Sequence, residues 1–128
     1  MRRRLRAEDG DAVTETVIVV PVLLLLIMAV VQFGLWYHAE HVVQAAAQEG
    51  VRAARALDGT PEGGRERAQR FLAVTASSVI EEPAIQATRD DRQAVVEVTG
   101  RAVAVIPGLH LGVHARAVSA TESFRADR

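Results

Sequence analysis

Thr16-Val17-Ile18-Val19-Val20-Pro21-Val22-Leu23-Leu24-Leu25-Leu26-Ile27-Met28-Ala29-Val30-Val31-Gln32-Phe33-Gly34-Leu35-Trp36-Tyr37 carries no formal charge. As a helix it spans about 30 Å, the thickness of a bilayer's hydrocarbon core. A core helix of a soluble protein with that length needs a large domain around it, and the chain left over is too short to build one. A cleavable export signal has a shorter apolar stretch, about 7–15 residues, and a small-x-small cleavage site. The candidate site here, Tyr37-His38-Ala39, puts a bulky Tyr where a small residue is needed. The run reads as a single membrane-spanning helix. Arg2, Arg3, Arg4 and Arg6 precede it, so the positive-inside tendency keeps the N-terminus cytoplasmic and sends everything beyond Tyr37 outward. Trp36 and Tyr37 suit the outer interface, and Pro21 is tolerated inside a membrane helix, with a kink.

Composition bounds the rest. The formal net charge is −1, which gives no broad attraction to nucleic acid. There is no cysteine, so an exported domain relies on packing and partners rather than on disulfides.

Between the arginines and the span lie Glu8-Asp9-Gly10 and Asp11-Ala12-Val13-Thr14-Glu15. A carboxylate at the head of a membrane segment is costly, by roughly 2.5–3.5 kcal/mol at the bilayer centre and less near the interface. Glu15 is favourable there as an N-terminal helix charge close to the headgroups. Its spacing admits a second reading. A glycine followed at the fifth position by glutamate, after a basic leader and directly before an apolar stretch, resembles the processing motif of type IV prepilins. That resemblance implies cleavage between Gly10 and Asp11 by a membrane peptidase on the cytoplasmic side. It also implies that Glu15 pairs with the new α-ammonium of a neighbouring subunit. Pilins of that kind begin with a methylated phenylalanine, and this chain departs from them in placing Asp11 there.

A second resemblance covers more of the chain. Ala12-Val13-Thr14-Glu15-Thr16-Val17-Ile18-Val19-Val20-Pro21-Val22-Leu23-Leu24-Leu25, then Gln32-Phe33-Gly34, then Val42-Val43-Gln44-Ala45-Ala46-Ala47-Gln48-Glu49-Gly50-Val51-Arg52-Ala53-Ala54-Arg55, resembles the TadE-like family. These are pseudopilins of the tight-adherence pilus and secretion system. Val105-Ile106-Pro107-Gly108-Leu109 is a weaker echo of the same family.

Beyond the span the pattern stays helical. Val42, Ala46, Gly50, Ala53/Ala54 and Leu57 recur at three- and four-residue steps, which predicts one helix from about Ala12 to about Leu57. Ala46, Gly50 and Ala53 are small enough to let another helix approach closely, although alanine is also simply a strong helix former. With Pro21, they are the candidate helix-packing positions. Asp58 to Gly64 is a break, with Gly59 as a cap and Thr60-Pro61-Glu62 as N-cap, first position and first-turn acid of a second helix. That amphipathic helix is expected to reach about Ile80, with Ala68, Leu72, Ala76 and Val79 on one face, and to end at Glu82-Pro83. The period then changes to two. Ile85 and Ala87 precede a turn at Arg89-Asp90-Asp91-Arg92, and Ala94, Val96 and Val98 alternate with Val95, Glu97 and Thr99. Arg101 to Ile106 extends or bends this strand, Pro107-Gly108 breaks it, and Val113, Ala115 and Ala117 mark a last strand ending near Glu122.

The expected fold is therefore α+β. A long N-terminal membrane-spanning helix continues outward, followed by a second amphipathic helix and a small antiparallel three-stranded sheet. Residues 1–10 form the leader, 11–57 the transmembrane and extended helix, and 58–128 a small extracytoplasmic head. So thin a head is expected to be only marginally stable by itself.

Catalytic chemistry finds no support. His38-Ala39-Glu40-His41 lacks the order of a zinc-peptidase helix, and only a meeting of this pair with His110 and His114 would assemble four ligands. Ser77, Ser78 and Ser119 lack a glycine-flanked elbow, and Gly63-Gly64 lacks the Lys-Ser/Thr of a phosphate loop. No enzyme activity, metal or cofactor is expected. The resemblance implies a pseudopilin that acts by membrane insertion and helix packing. Its partners would be the lipid bilayer, a prepilin peptidase, other pseudopilins and pilin, and an inner-membrane assembly platform. The alternative is a signal-anchored envelope protein with an exported ligand- or partner-binding head, which needs neither Gly10 nor Glu15.

Overall fold

Helix α1 runs without interruption from Leu5 to Arg55, straight through Pro21. The computed structural model describes residues 5–123, with side chains from Val13 onward. Arg2, Arg3 and Arg4 lie outside the described residues. The helix starts earlier than the expected Ala12, because Leu5-Arg6-Ala7-Glu8 are good helix formers and Gly10 alone costs only about 1 kcal/mol. It ends at Arg55, where Arg89 caps it. The Arg89 Nη1 donates to the carbonyls of Ala54 at 2.6 Å and Ala56 at 2.7 Å, and also to that of Gly59. One guanidinium thus satisfies carbonyls that a helix C-terminus leaves without partners.

Helix α2, Pro61–Thr75, begins as its sequence predicts. Thr60 is the N-cap, and its hydroxyl accepts from Gly63 N at 3.0 Å. The helix stops five residues before the expected Ile80. Ser77 and Ser78 are weak helix formers, and Ile80-Glu81 pair instead with Ala102 and Arg101.

Strands β1 (Ile80–Arg89), β2 (Gln93–Ala102) and β3 (Gly112–Ala120) form an antiparallel meander in that order. β1 therefore includes Glu82-Pro83, which the sequence pattern placed before the strand. The two residues form a bulge, where the register slips between Glu81 and Ala84 and Glu82 takes φ of 50°. Proline is tolerated because β1 is an edge strand. The β1–β2 turn is closed by Asp90, whose carboxylate accepts from the amides of Arg92 and Gln93, both at 2.7 Å. The Gln93 amide, then that of Arg92, holds the Asp90 carboxyl below its usual value. That stabilisation is present above the ordinary Asp range and is lost as pH falls through the lowered value.

The observed class is the expected α+β. What organises it is the outer half of α1, which supplies Ala39, Val42, Val43, Ala46, Ala47, Val51 and Ala54 to the core. From the head come Ala68 and Leu72 of α2, Ala76, Ile80, and the inward residues of β2 and β3 such as Val96, Val98, Val113 and Ala117. Leu72 and Ile80 are the bulkiest of these side chains, so the elements must approach closely to exclude water. A fragment starting at Thr60 loses the α1 contribution. We expect it to show no cooperative thermal melt by circular dichroism, whereas a fragment starting at Gln32 melts cooperatively. A sharp transition in the shorter fragment would mean that the head closes its core without α1.

Candidate membrane-anchoring and assembly site

Two stretches of α1 have opposite surroundings. From Val13 to Val31 the large apolar side chains other than Met28 stand open around the helix, with Val17 67% and Val30 66% exposed. A helix that is apolar all round and uncovered by its own chain suits a bilayer rather than water. These 19 residues extend about 28 Å. α1 is thus a single membrane-spanning helix by length, composition and exposure. From Gln32 onward the head covers one side of it.

The changeover is marked by Gln32, which is fully buried. Its Oε1 accepts from Val105 N at 2.6 Å and Ile106 N at 3.2 Å, and its Nε2 donates to Val103 O at 3.1 Å. Trp36 adds a bond from Nε1 to Gly112 O at 3.2 Å. Residues 103–106 thus leave the sheet at Ala102 to meet α1, instead of extending β2. The head thus reaches one side of the helix at Gln32, ahead of the expected membrane exit near Tyr37. This geometry also opposes a cleavable signal: removal of the chain up to Ala39 would strip Gln32 and Trp36 from the head.

The positions singled out from the sequence fall in four places along α1. Gly10 and Asp11 lie within the first turns of α1, and the Asp11 side chain is outside the described ones. Glu15 is exposed at the head of the apolar run, and no cation pairs with it among the described residues. Pro21 is exposed within the span. Ala46 and Gly50 are buried, whereas Ala53 is half-buried and its neighbour Ala54 takes the buried place. A Cβ at Gly50 would come within 2.9 Å of Gly64 O and 3.1 Å of Ala68 Cβ. The partner helix at this contact is α2 of the same chain.

Gly64, Gln32 and Arg89 carried no role in the sequence reading. A signal for the first existed: Gly50-x-x-x-Ala54 and Gly64-x-x-x-Ala68 are matching small-residue spacings on the two helices that cross. Gln32 entered the sequence reading only within Gln32-Phe33-Gly34, as part of the family resemblance; the signal that could have marked it is an amide in an otherwise apolar run. Arg89 had no sequence signal, since its partners are backbone carbonyls.

The histidine pairs do not converge on a metal. His41 stacks edge-on against Tyr37 with ring centroids 4.5 Å apart, and His114 Nε2 lies 2.9 Å from Glu97 Oε1 on the outer face of the sheet. Among the described residues there is no group of three His, Cys, Asp or Glu placed to hold a metal ion. A groove of about 540 Å³ between α2 and β1 is lined mainly by Leu72, Ala73, Ala76, Ile80 and Ile85, with Arg65 and Gln69 supplying polar atoms.

Comparison with known proteins adds one positive finding. The family model described as TadE-like protein matches residues 10–52, from Gly10 through the span into the covered half of α1. The resemblance read from the sequence holds over that segment. Comparisons with curated proteins and with solved structures give no match.

Proposed function

From the match of residues 10–52 to the TadE-like family, we propose that the chain is a pseudopilin-like subunit of a tight-adherence pilus or secretion apparatus. The observation that carries this reading is that the match begins at Gly10 and embraces Glu15 and the whole apolar run. In this reading the N-terminus is cytoplasmic and the head extracytoplasmic, as Arg2, Arg3, Arg4 and Arg6 favour. A prepilin peptidase removes residues 1–10, and the α-ammonium of Asp11 in one subunit meets Glu15 of the next. Related pseudopilins, the pilin and a membrane assembly platform are the partners. The Gly10–Asp11 bond lies within α1, so cleavage requires the first turns to unwind, which helix ends do at low cost.

The test is the intact mass of the protein extracted from membranes, combined with a reporter fused after Arg128. We expect a species beginning at Asp11 and a reporter active outside the cytoplasm. Gly10→Leu should leave residues 1–10 attached, because a bulky side chain crowds a cleft that accepts bare backbone. Insertion should be unchanged, since it depends on Val17 to Tyr37. An uncut parent chain, or a reporter active in the cytoplasm, would remove the basis of this reading and leave an anchored envelope protein.

A further inference from the structure

The connection between β2 and β3, Val103-Ala104-Val105-Ile106-Pro107-Gly108-Leu109-His110-Leu111, contains no Asp, Glu, Lys or Arg. None of its residues is fully buried; Val105, Pro107 and Gly108 are exposed, and Ile106, Leu109 and Leu111 are half-exposed. A solvent-facing loop is normally polar, and its backbone groups are normally left to water. Here the loop is apolar apart from the exposed His110, and three of its backbone groups are satisfied by the buried amide of Gln32. Pairing non-helical backbone in this way is what a low-dielectric setting demands.

Its height along α1 is set by the same bonds. Gln32 directly follows the uncovered apolar run that ends at Val31. Met28 and Ala29, one turn earlier on the same helix face, are half-buried while the neighbouring residues of the span are exposed. A hydrocarbon core of about 30 Å that starts at Val13 ends at Gln32, and one that starts just after Glu15 ends near Leu35. Either position brings the loop to the boundary or slightly below it. Phe33 and Tyr37, 59% and 63% exposed, share that level on α1. At the opposite end of the head, Arg89 meets Ala54 O, about 33 Å farther along the helix axis.

We propose that Val103–Leu111 is a second membrane contact. Val105, Ile106, Pro107 and Leu109 enter the boundary between headgroups and acyl chains of the leaflet on the head's side, so the head is seated on the bilayer. The occupant is the lipid surface, argued from continuity with the span, from the absence of charge and from the pairing of the loop backbone by Gln32. The inference rests on α1 crossing the membrane and is independent of leader removal and of pilus assembly.

The chain has no cysteine, which allows single-site labelling without background. Val105→Cys, Leu25→Cys and Thr88→Cys all replace side chains open to the surroundings or near the far end of the head. Each full-length variant, carrying an environment-sensitive fluorophore, is placed in vesicles of phosphatidylcholine and phosphatidylglycerol that contain a doxyl-labelled lipid. The expected result is loss of most of the fluorescence at Val105, as at Leu25 in the span, and little loss at Thr88. The loss at Val105 should persist when protein is diluted into more lipid. Quenching at Leu25 with none at Val105 would overturn the loop contact and leave the span intact. Protection of Val105 from the doxyl lipid that is lifted only on dilution into more of the same lipid mixture would assign the loop to a contact between copies of the chain and also overturn it. No quenching at Leu25 would overturn the span and the loop contact together.

Discussion

Gly64→Val should unfold the head while leaving the protein in the membrane. A Cβ at Gly64 would lie 2.7 Å from Ala54 Cβ and 2.8 Å from Gly50 O. Neither atom is the end of a flexible side chain, so relief requires the axes of α1 and α2 to move apart. Overpacking of this kind costs typically about 1–3 kcal/mol and sometimes more. A core of this size supplies only about 3–5 kcal/mol, so the variant consumes most of the margin. Limited proteolysis of the membrane-extracted protein reads the effect, with rapid loss of residues beyond Arg55 expected. Insertion should persist because Val13 to Val31 has no contact with α2 to lose. Gly34→Ala is the control, since nothing lies within 4 Å of a Cβ built there. A Gly64→Val chain as protease-resistant as the parent would mean the two helices yield more readily than their spacing implies.

Glu15→Val should separate anchoring from assembly. Removing a carboxylate at the head of the span relieves a desolvation cost, so anchoring is retained or slightly strengthened. Under the pseudopilin reading, the α-ammonium of the adjoining subunit then has no counter-charge. Breaking a buried ion pair by deleting one member costs roughly 3–5 kcal/mol, which corresponds to about a hundredfold or greater loss of association. Co-purification with other pilus components measures it, and Glu15→Asp, which keeps the charge, should recover part of the loss. If Glu15→Val assembles like the parent, the carboxylate is an ordinary helix-terminus charge, as its N-terminal position on the apolar run also permits.

Both predictions bear on how far the sequence could be read. The strands β2 and β3 were legible because each has one wet and one dry face, and alternation follows directly from that. β1 was only half legible. Its inward residues Ile85 and Ala87 were visible, but Ile80 lies on the opposite phase because the bulge at Glu82-Pro83 inserts a residue between them. Gly100 belongs to the same irregularity: a Cβ there would lie 2.7 Å from Ile80 Cγ2. A period-two pattern cannot register across such a shift, and the apolar spacing of Ala76 and Val79 extended the helix reading to Ile80 instead.

The sequence by itself determined the long apolar helix, its two-residue-period partner strands, the capped second helix and the candidate processing glycine with its glutamate. These are local matters: length of an uncharged run, periodicity, and the chemistry of short neighbouring segments. Tertiary structure alone decided that the head lies alongside α1 from Gln32 rather than beyond its end. It also decided that Gly50 meets Gly64 within one chain, and that Arg89 closes the C-terminus of α1. The bonds from Gln32 join residues more than 70 positions apart. No spacing rule reaches that far, because the partners are backbone groups, which every residue carries and no sequence distinguishes.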